Sequence, residues 1–281
     1  MNDDELDEPL PTKKPAPRKK KNRYTQILEE LFEERFDPDR PEIPFNRDDV
    51  DRICEQLKVP RIKNIGDLPY TFRYRADFPE SLANKAPRGM IWVIWPAGKG
   101  KYQIAPAKSA EFVPRTDLTI TKVPDSTPGI IEMHAMDDEQ AVLARVRYNR
   151  LIDVFSGVTT YSLQSHWRTA VKDIGQLETD EIYVGLDRKG AQYVFPVQAK
   201  GKSDRLHIVQ VYQDWHACRA QFAGLICRPI GAQFLDDETI CLFEFEGHDR
   251  EFAVANEKHY RLVPPDDVTQ ADLDAYKART D

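Results

Sequence analysis

GQLETDEIYVGLDRKGAQYVFPVQAKGKSDRLHIVQVYQD, residues 175–214, holds two β-rich runs on either side of Asp187-Arg188-Lys189-Gly190. That tetrapeptide is good turn chemistry, so the spacing predicts a hairpin with strands near 178–186 and 191–200. A turn centred between Arg188 and Lys189 sets Asp180 opposite about residue 197, and a one-residue bulge moves it beside Gln198. Side chains alternate along a strand, so Gln198 and Lys200 share a face, as do Glu178 and Asp180. Spacing alone thus gathers Glu178, Asp180, Gln198 and Lys200 into one polar cluster. Lys200 follows the apolar run Val194-Phe195-Pro196-Val197. A lysine so placed needs an anion nearby, because a buried unpaired charge is costly.

Such a cluster suits phosphodiester hydrolysis. A hard cation such as Mg2+ takes oxygen donors and keeps several waters. The predicted metal ligands are Asp180, Gln198 through its amide oxygen, a nearby backbone carbonyl, and Glu178 as the second acid of the group. The bound cation would acidify a water and neutralise charge on the phosphate. Lys200 would orient or deprotonate that water and stabilise developing negative charge.

Outward from this stretch, residues 204–220 predict a helix, followed by strands near 224–234, 239–246 and 250–262. Upstream, Val142, Leu143, Val146, Leu151, Ile152 and Phe155 predict a helix over 137–155 that Gly157 ends. SLQSHWRTAVKD, 162–173, predicts a shorter helix with Ser162 as N-cap. Residues 105–136 read as a linker or irregular strands. The tail beyond Pro264 ends in an acidic helical stub.

In the first half, residues 24–36 predict a helix on Ile27, Leu28, Leu31 and Phe32, and RDDVDRICEQL predicts a second one capped by Asn46. MIWVIWPAGKGKYQI predicts two strands around Ala97–Gly100. On a strand Trp92 and Trp95 face opposite sides, one to the core and one partly to solvent. TFRYR reads as a strand with Phe72 and Tyr74 inward and Arg73 and Arg75 outward. Helices followed by a hairpin resemble a winged helix-turn-helix. Its candidate DNA contacts are Arg61, Lys63, Asn64, Arg73 and Arg75, with Lys99 and Lys101 at the wing.

Charge supports a polyanion partner. The chain carries a net −7. Residues 57–125, however, hold 12 Lys and Arg against 6 Asp and Glu, whereas 234–281 hold 5 against 13. Residues 10–23 form a basic arm, expected to be disordered, behind the acidic tip Asp3–Glu8. No apolar run reaches the length of a membrane span, and the start is too polar for a secretory signal. Four scattered cysteines argue against a disulfide scaffold and point to a reducing cytosol. His216, Cys218 and Cys227 match no zinc spacing, the Gly98 region is not a Walker A loop, and there is no HExxH.

Asp180 followed by Gln198-Ala199-Lys200 resembles the PD-(D/E)xK nuclease superfamily in its Gln-x-Lys variant, as in Mrr-like restriction enzymes. The resemblance spans about 137–262. It implies a restriction-endonuclease-like α/β fold: a central mixed sheet flanked by helices, here behind a winged-helix-like domain. Helix 204–220 then matches the family's second core helix, whose Gln210 and Gln213 would contact the DNA backbone. The chain departs from the family twice. The first core helix, placed at 162–173, lacks the usual glutamate and offers only Gln164, and Gln198 stands where the family has an acid.

The expected organisation is an arm (1–23), a winged-helix-like DNA-binding domain (24–125), a nuclease domain (126–265) and an acidic tail (266–281). The expected activity is that of a Mg2+-dependent, type II site-specific endonuclease on double-stranded DNA, a cytoplasmic homodimer. The alternatives are a non-catalytic DNA-binding protein on a degenerate nuclease fold, a nuclease of repair or modified DNA, and an interaction protein without DNA affinity.

Overall fold

The computed structural model describes residues 22–134, 139–236 and 238–279. Most of the basic arm, with the acidic tip, lies outside the described residues.

The first part contains α1 (Arg23–Arg35), β1 (Ile43–Asn46), α2 (Arg47–Gln56), α3 (Asp67–Tyr74), the single turn α4 (Glu80–Ala83), β2 (Ile91–Pro96) and β3 (Lys101–Ala107). Its strands form an antiparallel sheet in the order β1-β3-β2. α2 starts at a capping box: Asn46 accepts from the Asp49 N–H and the Asp49 carboxylate accepts from the Asn46 N–H. α1, α2 and α3 bury Ile27, Leu31, Phe32, Ile53 and Leu68 against Trp92 and Ile104.

Three readings change here. TFRYR belongs to α3, because the Asn64 side chain accepts from the Gly66 N–H and donates to Asp67, opening a helix at that turn. Five residues of alternation did not distinguish the two periods. Phe72 is buried, and Arg73, instead of facing outward, donates Nε–H to the Ile94 carbonyl. Trp92 and Trp95 do face opposite sides, but both are buried, since the sheet is covered on each face.

The segment 105–136 holds β4 (Glu111–Phe112), β5 (Ile120–Pro124) and the single turn α5 (Gly129–Glu132) beyond the end of β3. The second part continues with α6 (Glu139–Tyr148), α7 (Leu151–Ser156), β6 (Thr159–Val171), β7 (Gly175–Leu186), β8 (Gln192–Lys200), β9 (Leu206–His207) and α8 (Ile208–Gln221). It ends with β10 (Ile226–Cys227), β11 (Ile230–Phe234), β12 (Thr239–His248), β13 (Glu251–Val263) and α9 (Gln270–Lys277). The main sheet is mixed, in the order β5-β13-β12-β11-β8-β7-β6, with β10 also on β8. β8 and β11 run parallel across the α8 crossover, and β6, β7 and β8 form an antiparallel meander. α6 and α7 cover one face over Phe195, Val197 and Phe234. α8 covers the other, where Val209, Val211 and Tyr212 share a core with Val93 and Trp95 of the first part. This is an α/β protein with a large mixed sheet flanked by helices.

The helix expected at 162–173 is instead strand β6. Its aromatic and Thr content suits a strand, and β7 offers an edge to pair with. Ser162, expected as an N-cap, donates its hydroxyl to the buried Glu181 carboxylate at 2.5 Å. The helix expected at 137–155 is two helices. Arg150 adopts φ 51°, and the Asn149 side chain bonds Asp125, Ser126 and Thr127. No helix among the described residues is long and apolar enough to cross a membrane.

Candidate active site

Asp187 builds the hairpin: its carboxylate accepts from the Lys189 and Ala191 N–H groups. The register pairs Glu181 with Val197. This is the shifted register, which leads Asp180 to Gln198. Paired residues stop at Glu181, so β7 departs from β8 at Asp180, and Asp180 Oδ2 accepts the Ala199 N–H at 2.8 Å. Burial raises the Asp180 carboxyl above the ordinary aspartate range; Ala199 N–H and Lys200 pull it back, and Glu139 pushes it further up.

Lys200 has a side chain only 12% exposed, and its ammonium is ion-paired with Glu139 at the start of α6. The anion that a buried lysine required is therefore an acid the sequence reading overlooked. The Lys200–Glu139 pair joins the end of β8 to the start of α6, and Asp180, midway along β7 and bonded to the N–H of Ala199, feels the charge of both. Glu139 also supplies an acid on the helix before the meander. Placing that helix at 162–173 hid it. The available signal was the apolar periodicity of 137–155, which runs up to Glu139.

Gln198 is tied at both ends. Its Nε2 donates to the Glu178 carbonyl at 3.2 Å and to Asp214 Oδ2 at 3.0 Å, and its Oε1 accepts from Gln210 Nε2 at 3.2 Å. Thr179 Oγ1 meets Asp214 Oδ1 at 2.5 Å. Asp214 is 2% exposed, and burial pushes its carboxyl up to about 7, opposed by the bonds from Thr179 and Gln198. Thr179, Gln198, Gln210 and Asp214 form a polar layer under the hairpin. Gln210 Oε1 also accepts the His207 N–H and so caps α8. Gln213 is partly buried on α8.

Glu178 does not join the cluster. Its carboxylate faces solvent, paired with His166 at 3.1 Å and Arg168 at 3.0 Å, and Arg168 first, then His166, hold it below the ordinary range. Glu178 instead turns to β6, where Arg168 is its register partner. Gln233 of β11 pairs in register with Lys200; it is buried, and its Oε1 has no partner among the described residues.

In the first part, Arg61 pairs with Glu55, Asn64 shapes the turn into α3, and Arg75 lies over the Tyr70 ring at 4.8 Å. Arg73 Nη2 is buried without a partner among the described residues, so Arg73 is not an outward DNA contact. Lys63, Lys99 and Lys101 are exposed.

No protein-family model matches the chain, and no curated protein or solved structure shows significant similarity to it.

Proposed function

We propose that the chain is a divalent-metal-dependent nuclease that hydrolyses phosphodiesters of double-stranded DNA, in the manner of a PD-(D/E)xK restriction enzyme. The observation that carries this is the Lys200–Glu139 ion pair next to Asp180, which accepts the N–H of Ala199, the residue before Lys200. The order helix, three-strand meander, crossover helix and parallel strand supports the same reading.

The oxygen donors fit a hard cation. Asp180 and Glu139 would hold Mg2+, which when bound supplies charge neutralisation and a more acidic water. Asp180 is oriented by the Ala199 N–H. Gln198 braces the hairpin instead of offering a free oxygen, because both ends of its amide are engaged. Lys200, released from Glu139, would donate an N–H to orient the attacking water and would face the phosphate oxygen that gains charge.

In the first part, α1, β1, α2, α3 and the β2–β3 hairpin follow one another with sheet order β1-β3-β2, which supports the winged-helix reading. Lys63, Arg75, Lys99 and Lys101 would hold phosphates. Cutting both strands calls for two sites related by a two-fold axis, hence a homodimer.

A second reading, a DNA-binding protein that does not cut, is favoured by the engaged Gln198 amide. Plasmid cleavage with Mg2+ separates the two. The nuclease reading expects cutting by the wild type and its loss in Asp180→Asn and Lys200→Ala. Salt-sensitive DNA binding without cutting under any divalent metal supports the second reading. Cutting undiminished by both substitutions removes the proposed site.

A further inference from the structure

We propose a zinc site at Cys241, Glu257 and His259, separate from the candidate active site. Cys241 on β12 pairs in register with His259 on β13, and Glu257 lies two residues before His259 on the same strand face. The ligand atoms of the three lie within 4.8 Å of one another. His259 and Glu257 side chains are 3% and 6% exposed, and Cys241 is fully buried.

One of two separations already fits a tetrahedral ion and the other is short. Glu257 Oε1 lies 3.6 Å from Cys241 Sγ and 2.9 Å from His259 Nε2. Ordinary zinc bond lengths at tetrahedral angles require about 3.6 Å for S···O and about 3.4 Å for N···O. The first is already met, and the second needs an opening of roughly half an ångström by that geometry. A thiolate, an imidazole and a carboxylate form a donor set that suits Zn2+ and not Mg2+.

Without metal, three donors converge on one oxygen: the Cys241 thiol, the His259 ring and the Arg115 N–H, the last at 2.8 Å. Zinc would take the place of the first two protons. The thiol proton leaves to solvent. The imidazole gives up its Nε2 proton, takes one from solvent on Nδ1, and so stays neutral while offering Nε2 to the ion. The Arg115 N–H stays on the carboxylate, as an outer bond that orients a ligand. Three protein donors leave one position for a water. Arg115 lies between β4 and β5, so an ion here would fasten that segment to the β12–β13 hairpin.

The test is zinc content and cobalt substitution of the full chain after stripping with a chelator. The expected result is one Zn2+ per chain, a thiolate-to-cobalt charge-transfer band with Co2+, and loss of that band in Cys241→Ala. His259→Gln, which keeps a hydrogen-bond donor, should weaken zinc binding by more than the roughly 10- to 100-fold typical of losing an outer partner. Asp180→Asn should bind zinc as the wild type does, which keeps this site distinct from the nuclease reading. Absence of stoichiometric zinc, absence of the thiolate band, or equal binding by Cys241→Ala overturns the proposal.

Discussion

Replacing Asp214 with asparagine removes a titration from the layer beneath Gln198 while keeping its hydrogen bonds. In the protonated acid one oxygen shares a proton with Thr179 Oγ1, and the other accepts from Gln198 Nε2. Asparagine keeps both contacts, its carbonyl accepting from Gln198 and its amide donating to the Thr179 hydroxyl oxygen in place of the bond that hydroxyl now donates. The wild-type carboxyl is raised from 3.8 to about 7, chiefly by burial. The sign follows from proton counting. Between those two values the folded state holds a proton that the unfolded state has lost, so stability falls as pH rises, and it levels off above about 7. At 1.36 kcal/mol per pH unit the whole interval is worth about 4 kcal/mol, of which roughly 2 kcal/mol falls between about pH 5 and about pH 7. Denaturant titration of both proteins across that range measures it. The wild type should lose stability relative to Asp214→Asn by roughly that amount, so the variant is the more stable protein at neutral pH. Parallel pH profiles for the two proteins would refute the reasoning.

Arg147 Nη2 lies 2.8 Å from Glu181 Oε1, and the Glu181 side chain is fully buried. Arg147→Ala strands that carboxylate and should cost about 3–5 kcal/mol in denaturant unfolding. Adding Glu181→Gln should recover part of the loss; a cost near zero for the single variant would contradict the burial. A Cβ on Gly185 would sit 2.6 Å from the Thr159 carbonyl oxygen and 2.9 Å from Val158 Cγ1. Gly185→Ala should therefore destabilise by roughly 1–3 kcal/mol through forced separation of β6 and β7, read as a lowered melting temperature.

The hairpin was legible because Asp187 and Gly190 punctuate it and VFPV marks a buried strand. Its register was legible only as two options, and the structure takes the shifted one. β6 was not legible. SLQSHWRT has enough helix-compatible residues to mimic a short helix, and only the unpaired edge of β7 turns it into a strand. That misplacement drew attention from α6, the helix before the meander, and concealed Glu139. TFRYR failed for a related reason: the turn at Asn64–Asp67, not the side-chain alternation after it, determines its conformation. Trp95 is buried because the first sheet packs on α8, and Trp92 because α1 covers the opposite face with Phe32; local pattern encodes neither contact between distant segments. Gln198 could be placed on its strand, but its engagement by Asp214 and Gln210 depends on where α8 crosses.

The most direct measurement is the Mg2+-dependent plasmid cleavage rate of Glu139→Gln beside Glu178→Gln, each checked for folding and DNA binding. Glu139 is paired with Lys200, whereas Glu178 faces solvent with His166 and Arg168. Cleavage should fall about 100-fold or more in Glu139→Gln, the scale of losing a group that stabilises charge in the transition state. Glu178→Gln should cut like the wild type. The reverse pattern, or no metal-dependent cutting by the wild type, contradicts the account.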